Sequence, residues 1–167
     1  MADTATYDKI ATTTLGSAAS SITFSSIAAS WTDLRLVIVG FAGSSGQTLL
    51  TFNGDGATNY SRTILDGNGS GAGSDSTTGQ TYINLHDSGS SSTIPGFYDV
   101  NIFSYANATY KTILSSGSED ANGSGRVSKT VGLWRNTAAI TSLTIKPNLS
   151  NTFGTGTTAT LYGIRAA

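Results

Sequence analysis

The residues best suited to chemistry are His86 and Asp87, adjacent in the stretch NLHDSGS and followed by serines. An imidazole beside a carboxylate, with a hydroxyl in reach, supplies the parts of a nucleophilic hydrolase: the histidine takes the serine proton and the acid orients the ring. The surrounding pattern does not support that reading. No serine sits in G-x-S-x-G, and no strand-to-helix elbow is available to lift a nucleophile out of a sheet. His86, the only histidine of the chain, therefore reads as a surface or hydrogen-bonded residue at a strand end.

In FNGDGATNYSR, Asn53 and Asp55 have the spacing that opens a calcium-binding loop. The match then fails, because Ala57 replaces the third oxygen ligand and Ile64 stands where the bidentate glutamate belongs. Asn-Gly and Asp-Gly pairs accept positive φ, so a tight turn is the expectation. GTGTTA, from Gly154 to Ala159, superficially resembles a dinucleotide-binding glycine pattern. That pattern needs a helix N-terminus to hold the pyrophosphate, and a strand pattern follows instead. Sequons at Asn59, Asn107 and Asn148 are the chance product of an Asn-, Ser- and Thr-rich chain that shows no secretion signal. Glu119 and Asp120 lie in SGSEDANGSG, a solvated turn. Trp31, Trp134, Tyr60 and Tyr162 could stack on sugars in a carbohydrate-binding module, but aromatics on strands more simply form core. No catalytic, cofactor-binding or metal-binding residue is assigned, and no enzymatic activity is expected.

Composition narrows the partners. Only 11% of the 167 residues are charged and the net charge is −1, so DNA or RNA, whose affinity rests on Lys and Arg neutralising phosphates, is not an expected partner. The absence of cysteine removes disulfides, thiolate metal sites and cysteine nucleophiles together. MADTATYDKI lacks the basic region and apolar stretch of a signal peptide. The longest apolar run, LVIVGFAG from Leu36 to Gly43, falls far short of the roughly 20 residues of a membrane helix. The expectation is a soluble chain that starts near Met1 and has no membrane partner.

Any of these side chains must be positioned by strands. In DLRLVIVGF, Leu34, Leu36 and Ile38 share one face while Arg35, Val37 and Val39 take the other. GFYDVNIFSY and TSLTIKP alternate in the same way, as half-buried antiparallel strands do. Further candidates are YDKIATTT, SSITF, QTLLTFN, TYINL, YKTILSS, RVSKTVGLW and TATLYGI. No stretch of ten or more residues repeats apolar positions at helical spacing, and SSIAASWTD holds one short turn at most. Glycine-rich breaks at 43–46, 53–56, 122–125 and 154–156 separate the runs, a pattern of sandwiches, jelly rolls and closed barrels. The expectation is one all-β antiparallel domain over residues 1–167, with Leu36, Ile38, Val100, Ile102, Leu143, Ile145 and Leu161 in its core. DGNGSGAGSDSTTGQ, from Asp66 to Gln80, is low in complexity and reads as a long mobile loop (66–80).

Three stretches carry a resemblance: YDKIATTTLGSAASSITFSSIAASWTDLRLVIVG, FNGDGATNYSRTIL and ITSLTIKPNLSNTFGTGTTATLYGI. Together they resemble small virion structural proteins of tailed bacteriophages, of the type found in phages of cyanobacteria and other aquatic hosts. The likeness spans almost the whole chain, and its most specific pieces are Y-x-x-I-A-x-x-T-L-x-S with I-T-F-S-S-I, the F-N-G-D…N-Y-S turn and the closing L-Y-G-I. One departure is local: a proline usually precedes an aromatic after Ile27, and here Ala28 and Ala29 precede Ser30 and Trp31. The resemblance implies a jelly-roll-like β-sandwich whose last strand, bearing L-Y-G-I, completes a sheet. It also implies a virion protein assembled in the host cytoplasm: a capsid decoration (cement) protein, binding the major capsid protein as a homotrimer. The alternatives are a tail fibre or receptor-binding tail component and, third, a free carbohydrate-binding module or hydrolase. Met1 to about Thr14 and Phe153–Ala167 are expected at subunit contacts, because strands at chain ends can pair with a neighbour's open edge.

Overall fold

A computed structural model describes residues 6–40, 47–86 and 93–165. The turn expected at 43–46, Asp87 and the outermost residues at both ends lie outside the described residues. The period-two runs become β1 (Tyr7–Thr14), β2 (Ile22–Phe24), β3 (Asp33–Gly40), β4 (Thr48–Phe52), β5 (Tyr60–Gly67) and β6 (Ala72–Gln80). The chain continues with β7 (Ile83–Asn84), β8 (Gly96–Ile102), β9 (Lys111–Glu119), β10 (Arg126–Trp134), β11 (Leu143–Pro147) and β12 (Thr158–Ile164). The described residues contain no helix.

The strands form an antiparallel sandwich. One sheet has eight strands in the order β1-β12-β3-β8-β9-β10-β5-β6, and the other has four in the order β2-β11-β4-β7. From β2 to β5 each successive strand changes sheet, and the chain later crosses to β7, back to β8–β10, to β11 and finally to β12. That repeated crossing between layers is compatible with a jelly roll, with the β8–β9–β10 meander making up the middle of the larger sheet. Alternation along β3, β5, β8–β10, β11 and β12 fills the space between the layers. Leu36, Ile38, Val100, Ile102, Leu143, Ile145 and Leu161, the expected core, are all fully buried. Leu34, Leu50, Phe52, Tyr60, Tyr98 and Trp134 join them.

Two expectations are corrected. The stretch 66–80 is a β-hairpin, not a loop: β5 runs to Gly67, Asn68–Gly71 turn, and β6 pairs back along β5. Low complexity removed the apolar signal of a strand, but a ladder needs only backbone N–H and C=O groups. The turn is closed by Asn68, whose Oδ1 accepts from the N–H groups of Ser70 at 3.1 Å and Gly71 at 3.0 Å. The second correction concerns the last strand. β12 lies between β1 and β3, so both of its backbone edges are paired inside the protomer and Thr158–Ile164 has no open edge for a neighbour.

The closing L-Y-G-I acquires a physical account. Leu161 enters the core, and Gly163 is covered by the indole of Trp31, which leaves no room for a side chain there. A Cβ on Gly163 would stand 2.3 Å from Trp31 ring atoms. Trp31 Nε1 donates to Asp8 Oδ2 at 3.1 Å, and Arg165 Nε donates to the same oxygen at 2.6 Å. The turn after Ile27 is held by Tyr105, whose hydroxyl donates to the Ala28 carbonyl at 2.5 Å and accepts from the Trp31 N–H at 3.2 Å.

Candidate functional site

His86 lies inside the sandwich. The segment from Ile83 to His86 crosses beneath β9 and β10, where the inward positions are small: Ser115 and Gly117 on β9, and Ser128, Thr130 and Gly132 on β10. Each gap is filled from below. Ile83 packs under Gly132, Thr130 Oγ1 donates to the Leu85 carbonyl at 3.1 Å, and the His86 ring takes the space under Gly117 and Ser128. A Cβ on Gly117 would approach the ring to 3.0 Å. His86 Nδ1 lies 2.5 Å from Ser128 Oγ, its backbone N–H donates to Asn84 Oδ1 at 3.1 Å, and its ring meets Tyr98 edge-on with centroids 6.0 Å apart. Burial pushes the Tyr98 phenol pKa up.

A histidine–serine hydrogen bond is half of a catalytic triad, and only the tertiary structure reveals that Ser128 is the serine concerned. Its surroundings fit packing better than turnover. His86 is 1% exposed and Ser128 2% exposed, so a solvent-borne substrate does not reach the hydroxyl from the described surface. Truncation should therefore be read in stability. His86→Ala empties a ring-sized space and strips Ser128 of its partner, and is expected to destabilise the fold by about 2–4 kcal/mol. A urea titration compared with wild type checks this, and a change below about 0.5 kcal/mol would show that the ring does not support the packing.

The Asn53–Asp55 stretch is a structural turn. Asn53 and Gly54 have φ of 52° and 66°, and the Asp55 N–H donates to the Phe52 carbonyl at 2.9 Å, the geometry of a type I′ turn. Its polar atoms are spent on protein partners. Asn53 Oδ1 accepts from the N–H groups of Thr141 and Ser142 at 2.9 and 3.1 Å, and Asn53 Nδ2 donates to the Ala139 carbonyl at 2.8 Å. Asp55 Oδ1 accepts from the Ala57 N–H at 2.9 Å, while Oδ2 accepts from Asn59 Nδ2 at 2.9 Å and Trp134 Nε1 at 2.7 Å. The Asn59 amide contributes most to holding the Asp55 carboxyl below its ordinary pKa, and Trp134 and Ala57 add to it. Among the described residues no group of three or more acidic or imidazole side chains is placed to hold a metal ion.

The four aromatics separate. Trp134 and Tyr60 are fully buried and stacked on each other, 6.3 Å apart and 16° from parallel, so they belong to the core. Burial raises the Tyr60 phenol pKa to about 12. Trp31 covers Gly163, and Tyr162 meets the exposed Tyr7 ring edge-on at 6.5 Å on the outer face of the eight-stranded sheet. Beside them Arg35 grips Asp99 with two bonds of 2.7 and 2.8 Å, which raises the Arg35 pKa further. Another polar constellation escaped sequence reading. The fully buried Lys111 donates from Nζ to the carbonyls of Asn107 at 2.6 Å, Thr109 at 2.5 Å and Thr137 at 3.4 Å, tying two loops together. Arg35–Asp99 and Lys111–Thr137 have no local sequence signal, because these partners stand 64 and 26 residues apart and meet only across strands or loops, whereas Asn107 and Thr109 lie in the loop just before Lys111.

No family model matches the chain, and no curated protein or solved structure matches it either.

Proposed function

We propose that this chain is a virion structural protein of a tailed bacteriophage that reinforces the head shell, acting through surface contacts as a homo-oligomer. The observation that carries this reading is the outer face of the eight-stranded sheet. One row crosses all eight strands without a charge: Thr14, Thr158, Val39, Phe97, Ser118, Val127, Gly67 and Ala72. At strand spacing it extends for about 34 Å. Val39 and Phe97 are each 41% exposed and Val127 61%, so the row offers apolar surface to solvent. This strip of Ser, Thr, Gly and apolar side chains, bordered on the same face by the Arg35–Asp99 ion pair and Lys129, has no charge of its own to desolvate and suits contact with another protein repeated over many copies. The resemblance to phage virion proteins and the sandwich fold support the same reading, with a trimer on the major capsid protein as its fullest form.

The test is made on particles. Virions lacking the protein are expected to lose DNA more readily under heat or osmotic shock while adsorbing to cells normally, and intact virions to carry hundreds of copies on the head. Stable heads that fail to adsorb would move the protein to the tail.

A further inference from the structure

The two sheets have four edge strands, and they differ in how they are protected. β2 and β7 offer three and two residues, too few to template another strand. β1 has eight residues, but it carries Asp8 and Lys9, and a register irregularity between Lys9 and Ala11 interrupts its ladder. β6 lacks such devices over most of its length. It runs for nine residues without lysine or proline, none of its side chains is buried, and its one charge, Asp75, faces Arg62 at 3.4 Å. The irregularity in its pairing falls at the far end, near Gly79 with φ of 65°, so Ala72 to Thr77 stay in regular register. Among the described residues no strand pairs with the outer side of β6, and such an edge presents a line of unpaired backbone N–H and C=O groups.

We propose that β6 pairs antiparallel with β6 of a second copy of this chain, joining two eight-stranded sheets across a two-fold axis. A self-complementary contact covers both open edges at once and leaves none to propagate, which an arbitrary partner strand would not achieve. The charge pattern permits it. With the axis at Ser76, Asp75 faces Thr77 of the other copy; with the axis at Ser74, it faces Gly73. An axis at Asp75 would set two carboxylates opposite each other, which is disfavoured. The facing side chains are small, so the backbones meet without obstruction. One strand edge covers less than the roughly 800 Å² per partner of a standard interface, so the dimer depends on concentration. Crowding of copies on a surface would favour it, but the pairing belongs to the purified protein and does not rest on the shell reading.

The chain has no cysteine, so Ser74→Cys and Ser76→Cys each report on one register. Facing residues of an antiparallel pair have Cα atoms roughly 4.5–5.5 Å apart, within disulfide range. Under mild oxidation, one of the two variants is expected to form covalent dimers at least about tenfold faster than Ser20→Cys, an exposed control away from β6. Between about 1 µM and 1 mM the wild type is expected to sediment increasingly as a dimer. The double variant Ser74→Lys/Ser76→Lys, which places like charges across either seam on exposed positions, is expected to stay monomeric with unchanged circular dichroism. Cross-linking no faster than the control, a monomer at the highest concentration, or an oligomer that the lysine variant leaves intact would overturn the pairing. Dimers in solution with no protein on particles would overturn the shell reading alone.

Discussion

Trp134→Ala is expected to cost about 3–5 kcal/mol of folding stability, a large share of what a domain of this size has to lose. The indole is fully buried, lies nearly parallel to Tyr60, and packs against Phe52 with centroids 5.5 Å apart. Its Nε1 donates to Asp55 at 2.7 Å, so the same side chain joins the core to the β4–β5 turn. Trp134→Phe separates the two roles. It keeps most of the apolar contact, removes the hydrogen bond, and should cost about 1–2 kcal/mol. Urea titrations followed by circular dichroism check both values; a loss under about 1 kcal/mol for the alanine variant would contradict the packing described. The same pair sets a pH dependence. The folded Asp55 pKa lies below the unfolded value, so its contribution is complete above the ordinary carboxylate range and is lost as pH falls through the folded value. In Trp134→Phe that acid-side loss should be smaller, because one donor to the carboxylate is gone.

Gly163→Ala is expected to destabilise by about 2–3 kcal/mol although it adds one methyl group. The new Cβ would fall 2.3 Å from the Trp31 indole, which cannot yield without leaving its hydrogen bond to Asp8. A double-mutant cycle gives the decisive reading. In a Trp31→Ala background the same substitution should cost little, and the coupling should exceed about 1 kcal/mol. Additive losses would mean that the glycine is required for some reason other than the indole above it. The near-ultraviolet circular dichroism of Gly163→Ala should also change, since Trp31 must move.

The strands were legible in the sequence wherever apolar and polar residues alternate. Leu34, Leu36 and Ile38 against Arg35, Val37 and Val39 specify a strand and its buried face without reference to anything distant, because side chains alternate sides every residue. The positive-φ turn at Asn53-Gly54 was legible for the same local reason: few residues tolerate that conformation. β6 was not, since Ser, Gly and Asp carry no burial signal and its pairing is written in backbone groups that every residue has. The partners were not legible either. His86 and Ser128 stand 42 residues apart, and Trp134 and Asp55 79 apart, so only the crossing of two sheets decides that they meet. The place of β12 is of this kind. Composition and period made TATLYGI a strand, but only the tertiary structure set it between β1 and β3, where its backbone groups find partners on both sides and the open edge passes to β6.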